Sequence, residues 1–348
     1  MNTFTRPFIR AGIIFIVLFI KFSFNAYPQS APEDKIPNVI IVTFNGVRNE
    51  DSIDDPTHQY IPNFWNNMRK EGVLYTNLTN LNFEFHMPSV NAINTGGIYP
   101  FFSDGISAPT IFQYVKKKYA LQKHKLWLIG HWFAKQGGFT TAEYPDDTYP
   151  CQMSFSIVKC FLVPVELTEA LTKQESMFLD QAYKLKDKNL TYFHWDTLGE
   201  IQYRFFKKIV QKYKPKLIHY IMNDVESAHY DSFARYVLAL KRSDEKIFEI
   251  LQMIKSDPFY KNNTYLFISM DHGRNLYYMN HTENPVEDLS RVWMYVYGPD
   301  IKKGVTITRP VRHIDIFATV ADIMAVETYP TEGKALRDSF NGKKVFSR

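Results

Sequence analysis

Asn38-Val-Ile-Ile-Val-Thr43 is the stretch of sequence that decides the fold. A continuous run of apolar, mostly β-branched residues is typical of a strand that is buried on both faces in a parallel sheet. Short runs of the same kind recur at 126–129, 217–222, 265–269 and 292–297, and stretches with helical spacing of apolar residues lie between them. This alternation predicts an α/β fold with a doubly wound, mostly parallel central sheet and helices on both faces.

Composition and charge place the chain among globular proteins. The 348 residues are 45% hydrophobic and 22% charged, and residues 38–340 are predicted to form one domain with an irregular insertion at 145–205. Residues 1–26 contain three basic residues and no acid, so without them the formal net charge falls from +5 to +2. This small excess, without a long basic run interleaved with aromatics, argues against a nucleic-acid-binding protein.

Residues 1–26 are predicted to be a signal peptide or an amino-terminal anchor. Arg6 and Arg10 precede an apolar run at 11–20, which is shorter than the about 20 residues that a membrane span needs. The run fits the hydrophobic region of a signal peptide, but Phe24 stands where a cleavage site prefers a small residue. We therefore expect an exported protein, periplasmic or secreted, either free or associated with a membrane through this segment. Residues 27–37 are polar, contain proline and are predicted to be a linker.

Cys151 and Cys160 are the two cysteines of the chain. In an oxidising compartment they could form a disulfide that closes a short loop. Two unpaired thiols are the alternative, and the sequence leaves both open because it does not measure the separation of the two residues.

Acidic, amide and imidazole side chains follow three of the predicted strands. In doubly wound sheets, ligands bind beyond the carboxyl ends of the strands, so we expect these groups to converge at one edge. Carboxylate oxygens and imidazole nitrogens are suitable ligands for Zn²⁺ and related divalent ions. Gly273 gives the chain the conformational freedom to direct both residues before it toward one point. These side chains are Asn45, Asp224, His229, Asp271, His272 and His281, and Arg48 also follows the first strand.

Several segments, in the same order along the chain, resemble motifs of the alkaline phosphatase superfamily. Asn45-Gly-Val-Arg48 resembles its Asp-Gly-x-Arg, and His86-Met-Pro-Ser89 resembles the Thr or Ser-x-Pro that opens its nucleophile helix. Asp224-Val-Glu-Ser-Ala-His229 resembles its Asp-x-x-Gly-His metal motif, and Ser269-Met-Asp-His-Gly273 its Ser-Asp-His-Gly motif. The resemblance spans residues 38–340 and is closest to the nucleotide pyrophosphatase/phosphodiesterase and sulfatase-like branch. The remaining matching segments are 298–304, 313–324 and 330–336.

The resemblance implies a hydrolase in which two divalent ions, usually zinc, flank a Thr or Ser nucleophile. It implies a first metal site at Asp224, His229 and His281. Glu226 is a rival to Asp224, because the spacing to His229 is one residue longer than in the family motif. It implies a second site at Asp271, His272 and Asn45. Arg48 would bind the anionic part of the substrate, with a surface ion pair as the alternative role.

Two positions depart from the family pattern. Asn45 stands where the family has a metal-binding Asp, so the second site loses a negative charge and is expected to bind its ion more weakly. His86 stands at the position of the nucleophile and is the candidate catalytic residue. It could be a metal ligand beside an attacking metal-bound water, a nucleophile that becomes phosphohistidine, or an inert residue. Ser89 could replace the lost hydroxyl, although starting the helix is the simpler role for it.

These features predict a metal-dependent hydrolase of small-molecule phosphate esters, of the phosphodiester type, with one or two bound zinc ions. His86 also excludes the Cys or Ser that sulfatases convert to formylglycine, which disfavours an ordinary sulfatase mechanism. Two alternatives remain. One is a non-catalytic, metal-stabilised protein that binds anionic or glycan ligands, and the other is a sulfatase-like hydrolase of sulfate esters.

Overall fold

A mostly parallel sheet forms the centre of the molecule. A computed structural model of the chain describes residues 32–80, 86–98, 108–130, 151–156, 160–162, 172–185, 192–222, 224–228, 232–274 and 289–342. Within these residues the sheet has ten strands. They are β1 (Asn38–Phe44), β2 (Val73–Thr79), β3 (Leu126–Gly130), β4 (Cys151–Ser156), β5 (Cys160–Leu162), β6 (Leu217–Met222), β7 (Thr264–Met270), β8 (Arg291–Tyr297), β9 (Val305–Ile307) and β10 (Val311–Arg312).

The strand order is β10-β2-β8-β7-β1-β6-β3-β4-β5, and β9 also pairs with β2. The five strands from β7 to β4 are parallel to one another, whereas β8 is antiparallel to both of its neighbours and β5 is antiparallel to β4. Every residue of β1 is buried, as expected for a strand with helices on both of its faces. The predicted doubly wound, mostly parallel sheet is confirmed.

Seven α-helices belong to the described residues, and adjacent residues of β6 show that they cover both faces of the sheet. His219 is hydrogen-bonded to Asn94, whereas the ring of Tyr220 stacks on that of Phe206 with centroids 4.7 Å apart. Neighbouring residues of a strand point to opposite faces, so the helices that carry Asn94 and Phe206 lie on opposite sides. The helices are α1 (His86–Thr95), α2 (Ile111–Tyr119), α3 (Lys173–Leu185), α4 (Tyr192–Tyr213), α5 (Asp224–Ser227), α6 (Phe233–Ser256) and α7 (His313–Ile323).

On one face α1 packs against α2 and α7, and on the other α5 packs against α4 and α6. Short 3₁₀ turns and one π-helical turn complete the regular structure. The π-helical turn is Phe64–Met68, and the 3₁₀ turns are Glu33–Lys35, Arg69–Glu71, Lys123–Lys125 and Arg337–Ser339.

The register of β4 and β5 argues against a disulfide between the two cysteines. Cys160 pairs with Ser156 in the antiparallel ladder, and Cys151 lies five residues before Ser156 on the same strand. At about 3.3 Å per residue, this separates the two cysteine Cα atoms by roughly 16 Å. A disulfide requires less than about 7 Å.

The predicted leader at 1–26 and most of the predicted linker lie outside the described residues. Within the part of the chain that the structure describes, no helix is long and apolar enough to span a membrane. The segment at 145–205 contains β4, β5, α3 and the beginning of α4. The proposed limits of the leader, the linker and this insertion stay predictions.

Candidate metal centre

Three polar segments leave the sheet at the same edge. Phe44, near the end of β1, is aligned with Met222 of β6 on one side and with Met270 of β7 on the other. The residues that follow these three positions therefore emerge together at the carboxyl ends of parallel strands. Asn45, Asp224 and Asp271 belong to these segments, and all three are buried.

A tight turn directs the end of β1 toward the end of β7. Gly46 has a φ of 68°, in the left-handed region that glycine adopts without strain. Its backbone N–H donates a hydrogen bond of 3.0 Å to Asp271 Oδ1. This turn holds Asn45, which is fully buried, at the same edge of the sheet as Asp271.

Asp271 and His272 are completely buried and place two acceptor atoms opposite each other. Asp271 Oδ1 accepts from the backbone N–H groups of Gly46 and His272, at 3.0 and 2.7 Å. His272 Nδ1 lies 2.7 Å from the carbonyl oxygen of Gly273, which can only accept, so Nδ1 carries the proton. In neutral His272, Nε2 is then an acceptor, and it lies 3.5 Å from Asp271 Oδ2.

This arrangement fits a divalent metal ion. Two ligand atoms that bind zinc tetrahedrally at about 2.0–2.2 Å lie roughly 3.3–3.6 Å apart, which matches the observed separation of Oδ2 and Nε2. Metal-binding histidines also usually donate their other ring N–H to a carbonyl or carboxylate, as His272 does. The pair is only part of a ligand set. Among the described residues, no group of three or more His, Cys, Asp or Glu side chains is arranged to hold a metal ion.

The main chain at the end of β7 is fixed by three side chains. The carbonyl oxygen of Asp271 accepts from Ser89 Oγ at 2.8 Å and from Asn80 Nδ2 at 2.9 Å. The preceding carbonyl, of Met270, accepts from His313 Nε2 at 2.6 Å. The Ser89 hydroxyl is fully buried and donates to the backbone, a contact that fits a structural role. Its contact also places the first turn of α1 beside Asp271.

The other end of α1 is held by a buried histidine. His219 Nδ1 donates to Asn94 Oδ1 at 2.9 Å, and its Nε2 accepts from the Thr43 hydroxyl at 2.8 Å. Burial lowers the pKa of His219 to about 3, so the ring is neutral and can fill both roles. This network links α1 to β1 and β6. His86 is the first residue of α1, and its side chain lies outside what the structure describes.

Asp224, the first residue of α5, has a cation beside it. Its Oδ1 lies 2.5 Å from Lys246 Nζ, and the same ammonium group lies 2.8 Å from Glu200 Oε1. Burial alone would lower the pKa of Lys246, but the charges of Asp224 and Glu200 outweigh it and raise the pKa, which keeps the lysine protonated. The other two predicted ligands of the first site, His229 and His281, and the side chain of Glu226 lie outside the described residues.

Lys246 and Arg274 also lie at this edge of the sheet and were not predicted from the sequence. Lys246 lies on the buried stripe of α6, at helical spacing from Ser243 and Ile250, and a charged residue in such a stripe was the available signal. Arg274 directly follows the Asp-His-Gly motif. Its Nε donates to the Gly46 carbonyl at 2.7 Å and its Nη2 to the Val225 carbonyl at 2.6 Å. Arg274 therefore ties the segment after β1 to the segment after β6.

Arg48, the predicted anion-binding residue, is buried next to two carboxylates. Its guanidinium lies 3.5 Å from Glu50 and 3.6 Å from Asp51, and its backbone N–H donates to the hydroxyl of Tyr236. Burial raises the pKa of Asp51 in spite of the nearby Arg48. These ion pairs are buried, whereas the alternative role was an ion pair at the surface, and binding of a substrate anion by Arg48 stays a prediction.

Comparison with known proteins supports the family resemblance. The sequence model of the Metalloenzyme superfamily matches residues 198–328, which include the ends of β6 and β7. No curated protein matches the chain. An alkaline phosphatase superfamily protein from Vibrio parahaemolyticus has a similar structure, with a TM-score of 0.55 and 16% identity over 87% of this chain and 70% of that chain.

Two further solved structures are similar to this chain. One is an inactive variant of murine ectonucleotide pyrophosphatase/phosphodiesterase 5 in complex with AMP (TM-score 0.54, 11% identity, 88% of this chain and 100% of that chain). The other is a sulfatase from Pseudoalteromonas sp. (TM-score 0.56, 14% identity, 84% of this chain and 68% of that chain). At these identities the structural likeness establishes the fold, and the family model matches less than half of the chain.

Proposed function

We propose that this chain, which has the alkaline phosphatase superfamily fold, is a metal-dependent hydrolase of phosphate esters with a preference for phosphodiesters. The observation that carries the proposal is the buried pair of acceptor atoms at the end of β7. Asp271 Oδ2 and His272 Nε2 are 3.5 Å apart, each is oriented by hydrogen bonds made by the other atom of its side chain, and the spacing fits one divalent ion.

The position of α1 supports an anionic substrate. The hydrogen bond from Ser89 places the amino-terminal turn of this ten-residue helix next to Asp271. A helix amino terminus presents unpaired backbone N–H groups and favours a phosphate or a similar anion. An ester bound there would lie beside Asp271 and His272, which suits hydrolysis at this edge of the sheet.

Phosphate esters are favoured over sulfate esters by the residue at position 86. His86 is neither of the residues that sulfatases convert to formylglycine. The similar proteins include a phosphodiesterase crystallised with AMP as well as a sulfatase, so the fold alone does not select the ester. The preference for diesters rests on the motifs at 224–229 and 269–273, which are closest to those of the phosphodiesterase branch.

In this proposal, Asp271, His272 and the amide oxygen of Asn45 hold the metal ion, with zinc as the expected metal. A bound zinc ion supplies Lewis-acid chemistry and lowers the pKa of a coordinated water to about 7. Asn80 and Ser89 keep the Asp271 backbone in place through its carbonyl. His86, at the start of α1, is proposed to face the same cleft as a further ligand. Nucleophilic attack by its imidazole is the less favoured role.

The proposal is tested by measuring metal content and turnover together. The purified full chain should contain zinc or take it up, and should hydrolyse bis(4-nitrophenyl) phosphate faster than 4-nitrophenyl phosphate. It should not hydrolyse 4-nitrophenyl sulfate. Treatment with a chelator should abolish turnover, and added zinc should restore it. Turnover of the sulfate ester alone would support the sulfatase-like alternative, and failure to bind any divalent metal would refute the proposal.

A non-catalytic binding protein is the second candidate. The ion pair between Asp224 and Lys246, together with Asn45 in place of Asp, favours it, because both reduce the negative charge available to two metal ions. This candidate predicts bound metal without turnover of any of the three esters. Export of the protein is a further proposal that rests on residues 1–26, and cell fractionation of the full-length chain would test it.

A further inference from the structure

The carboxylate of Asp224 lies against helices α4 and α6. Gly199 of α4 packs so closely against it that a Cβ at this position would lie 3.4 Å from Oδ1 and 3.6 Å from Oδ2. Lys246 of α6 approaches Oδ1 to 2.5 Å. Both carboxylate oxygens therefore lie close to the surface of α4, and one of them is in direct contact with an ammonium group.

The ammonium group of Lys246 occupies a place that would suit a metal ion. It lies 2.5 Å from Asp224 and 2.8 Å from Glu200, and the side chain of Lys246 is 6% exposed. The aromatic ring of Tyr203 covers it at 5.3 Å from the ring centroid, which further favours a cation at this point. The carboxylates of Asp224 and Glu200 and the ring of Tyr203 thus already surround a positive charge that the protein itself supplies.

We propose that Lys246 is a built-in counter-cation of Asp224, so that the carboxyl end of β6 is neutralised by an ammonium group and the protein holds a single divalent ion, at the end of β7. The location of that ion rests on the proposed function. The role of Lys246 does not, because it follows from the contacts of Asp224. A second divalent ion next to Asp224 would be repelled by the ammonium group and would compete with it for the same carboxylate.

The test compares the zinc stoichiometry of the wild-type chain with that of Lys246→Ala. After removal of metal with a chelator, each protein is titrated with zinc, and the bound metal is determined by elemental analysis. Lys246→Ala leaves two carboxylates around an empty volume and should bind one more ion than the wild type. Lys255→Ala is the matched control, because Lys255 lies on the same helix and pairs with Glu71 at 2.7 Å. It should keep the wild-type stoichiometry.

A folded Lys246→Ala variant, judged by circular dichroism, that binds no additional ion would overturn the proposal. If this variant does not fold, Asp224→Asn is titrated with zinc in its place. Lys246 keeps Glu200 as an ion-pair partner in Asp224→Asn, so this variant is expected to fold. Asp224→Asn should bind as much zinc as the wild type, with the same affinity, and loss of an ion from it would overturn the proposal. Failure of the proposed function appears separately, as a wild-type chain without metal or without turnover.

Discussion

The strands on either side of β1 are each followed by an aspartate, but the two carboxylates have different surroundings. Asp271, after β7, is oriented by the backbone N–H groups of Gly46 and His272, and its Oδ2 faces a histidine nitrogen. Asp224, after β6, contacts the ammonium group of Lys246. One strand end thus presents two acceptor atoms to each other, and the other presents an acceptor to a cation.

If the end of β6 binds no metal ion, a metal-ligand motif does not by itself determine whether a metal binds. An aspartate in such a motif contributes its charge to an ion only if the fold leaves that charge available. At the end of β7, backbone N–H groups orient the carboxylate of Asp271. At the end of β6, the ammonium group of Lys246, which also contacts Glu200, lies against the carboxylate of Asp224.

The largest effect is expected from Asp271→Asn. The amide oxygen binds a divalent cation more weakly than the carboxylate, and the site at Asp271 is fully buried. We expect zinc affinity and turnover to fall by roughly 100-fold or more. Zinc titration and bis(4-nitrophenyl) phosphate hydrolysis would measure the two losses.

Asp300→Asn is the control for this substitution. Asp300 accepts a hydrogen bond from Tyr265, near the opposite end of β7, so the variant perturbs the same strand away from the candidate site. It should keep wild-type zinc affinity and turnover. Full activity in Asp271→Asn would show that the end of β7 is not the metal site.

His86→Ala tests whether the first residue of α1 takes part at the same strand end. If His86 is a metal ligand, the variant should lose zinc affinity and activity together. His86→Thr, which restores the residue type of the family, should recover part of the activity. Trapping of an acid-labile phosphate on His86 would support the nucleophile role instead. Wild-type activity in His86→Ala would exclude both roles.

Asn45→Asp should sharpen the contrast by adding a charge next to Asp271. Without metal, the added charge is buried close to another carboxylate, so the melting temperature of the metal-free protein should fall. With zinc, the same charge is compensated, and affinity should rise by roughly tenfold or more. Thermal melts with and without zinc measure both effects. A variant with unchanged zinc affinity would show that residue 45 does not contact the ion.

His219→Gln addresses α1, which is hydrogen-bonded to β6 through Asn94 and to the end of β7 through Ser89. The pKa of His219 is lowered from 6.5 to about 3, so between these values the unfolded chain binds a proton that the folded chain does not. Its contribution to stability is present above pH 6.5 and is lost as the pH falls toward 3. As the pH falls from 6.5 toward 3, the wild-type protein should lose about 1.4 kcal/mol of unfolding free energy per pH unit through His219. The variant lacks this loss, so its unfolding free energy should fall less steeply with decreasing pH. Urea unfolding at several pH values measures the slope, with His124→Gln as a control. Equal slopes in the wild-type protein and in His219→Gln would contradict the assignment of a lowered pKa to His219.

Most of the fold could be predicted from the sequence, because buried parallel strands consist of uninterrupted apolar residues. The predicted strands at 217–222 and 265–269 both coincide with strands of the structure. β2 was not predicted, since its Thr76 and Asn77 interrupt the apolar pattern. The candidate site was harder. Local motifs identified Asp224 and Asp271, but the partner of Asp224 comes from the middle of a long helix, and no local pattern connects Lys246 to it.

If Lys246 keeps metal ions away from Asp224, the divalent ion binds at the end of β7 and not at the end of β6. A crystal of the zinc-loaded protein, with anomalous differences recorded at the zinc absorption edge, tests it most directly. We predict one strong peak within about 2.0–2.2 Å of Asp271 Oδ2 and His272 Nε2, with Lys246 still in contact with Asp224. A peak bonded to Asp224, alone or at equal height with one at Asp271, would contradict the account.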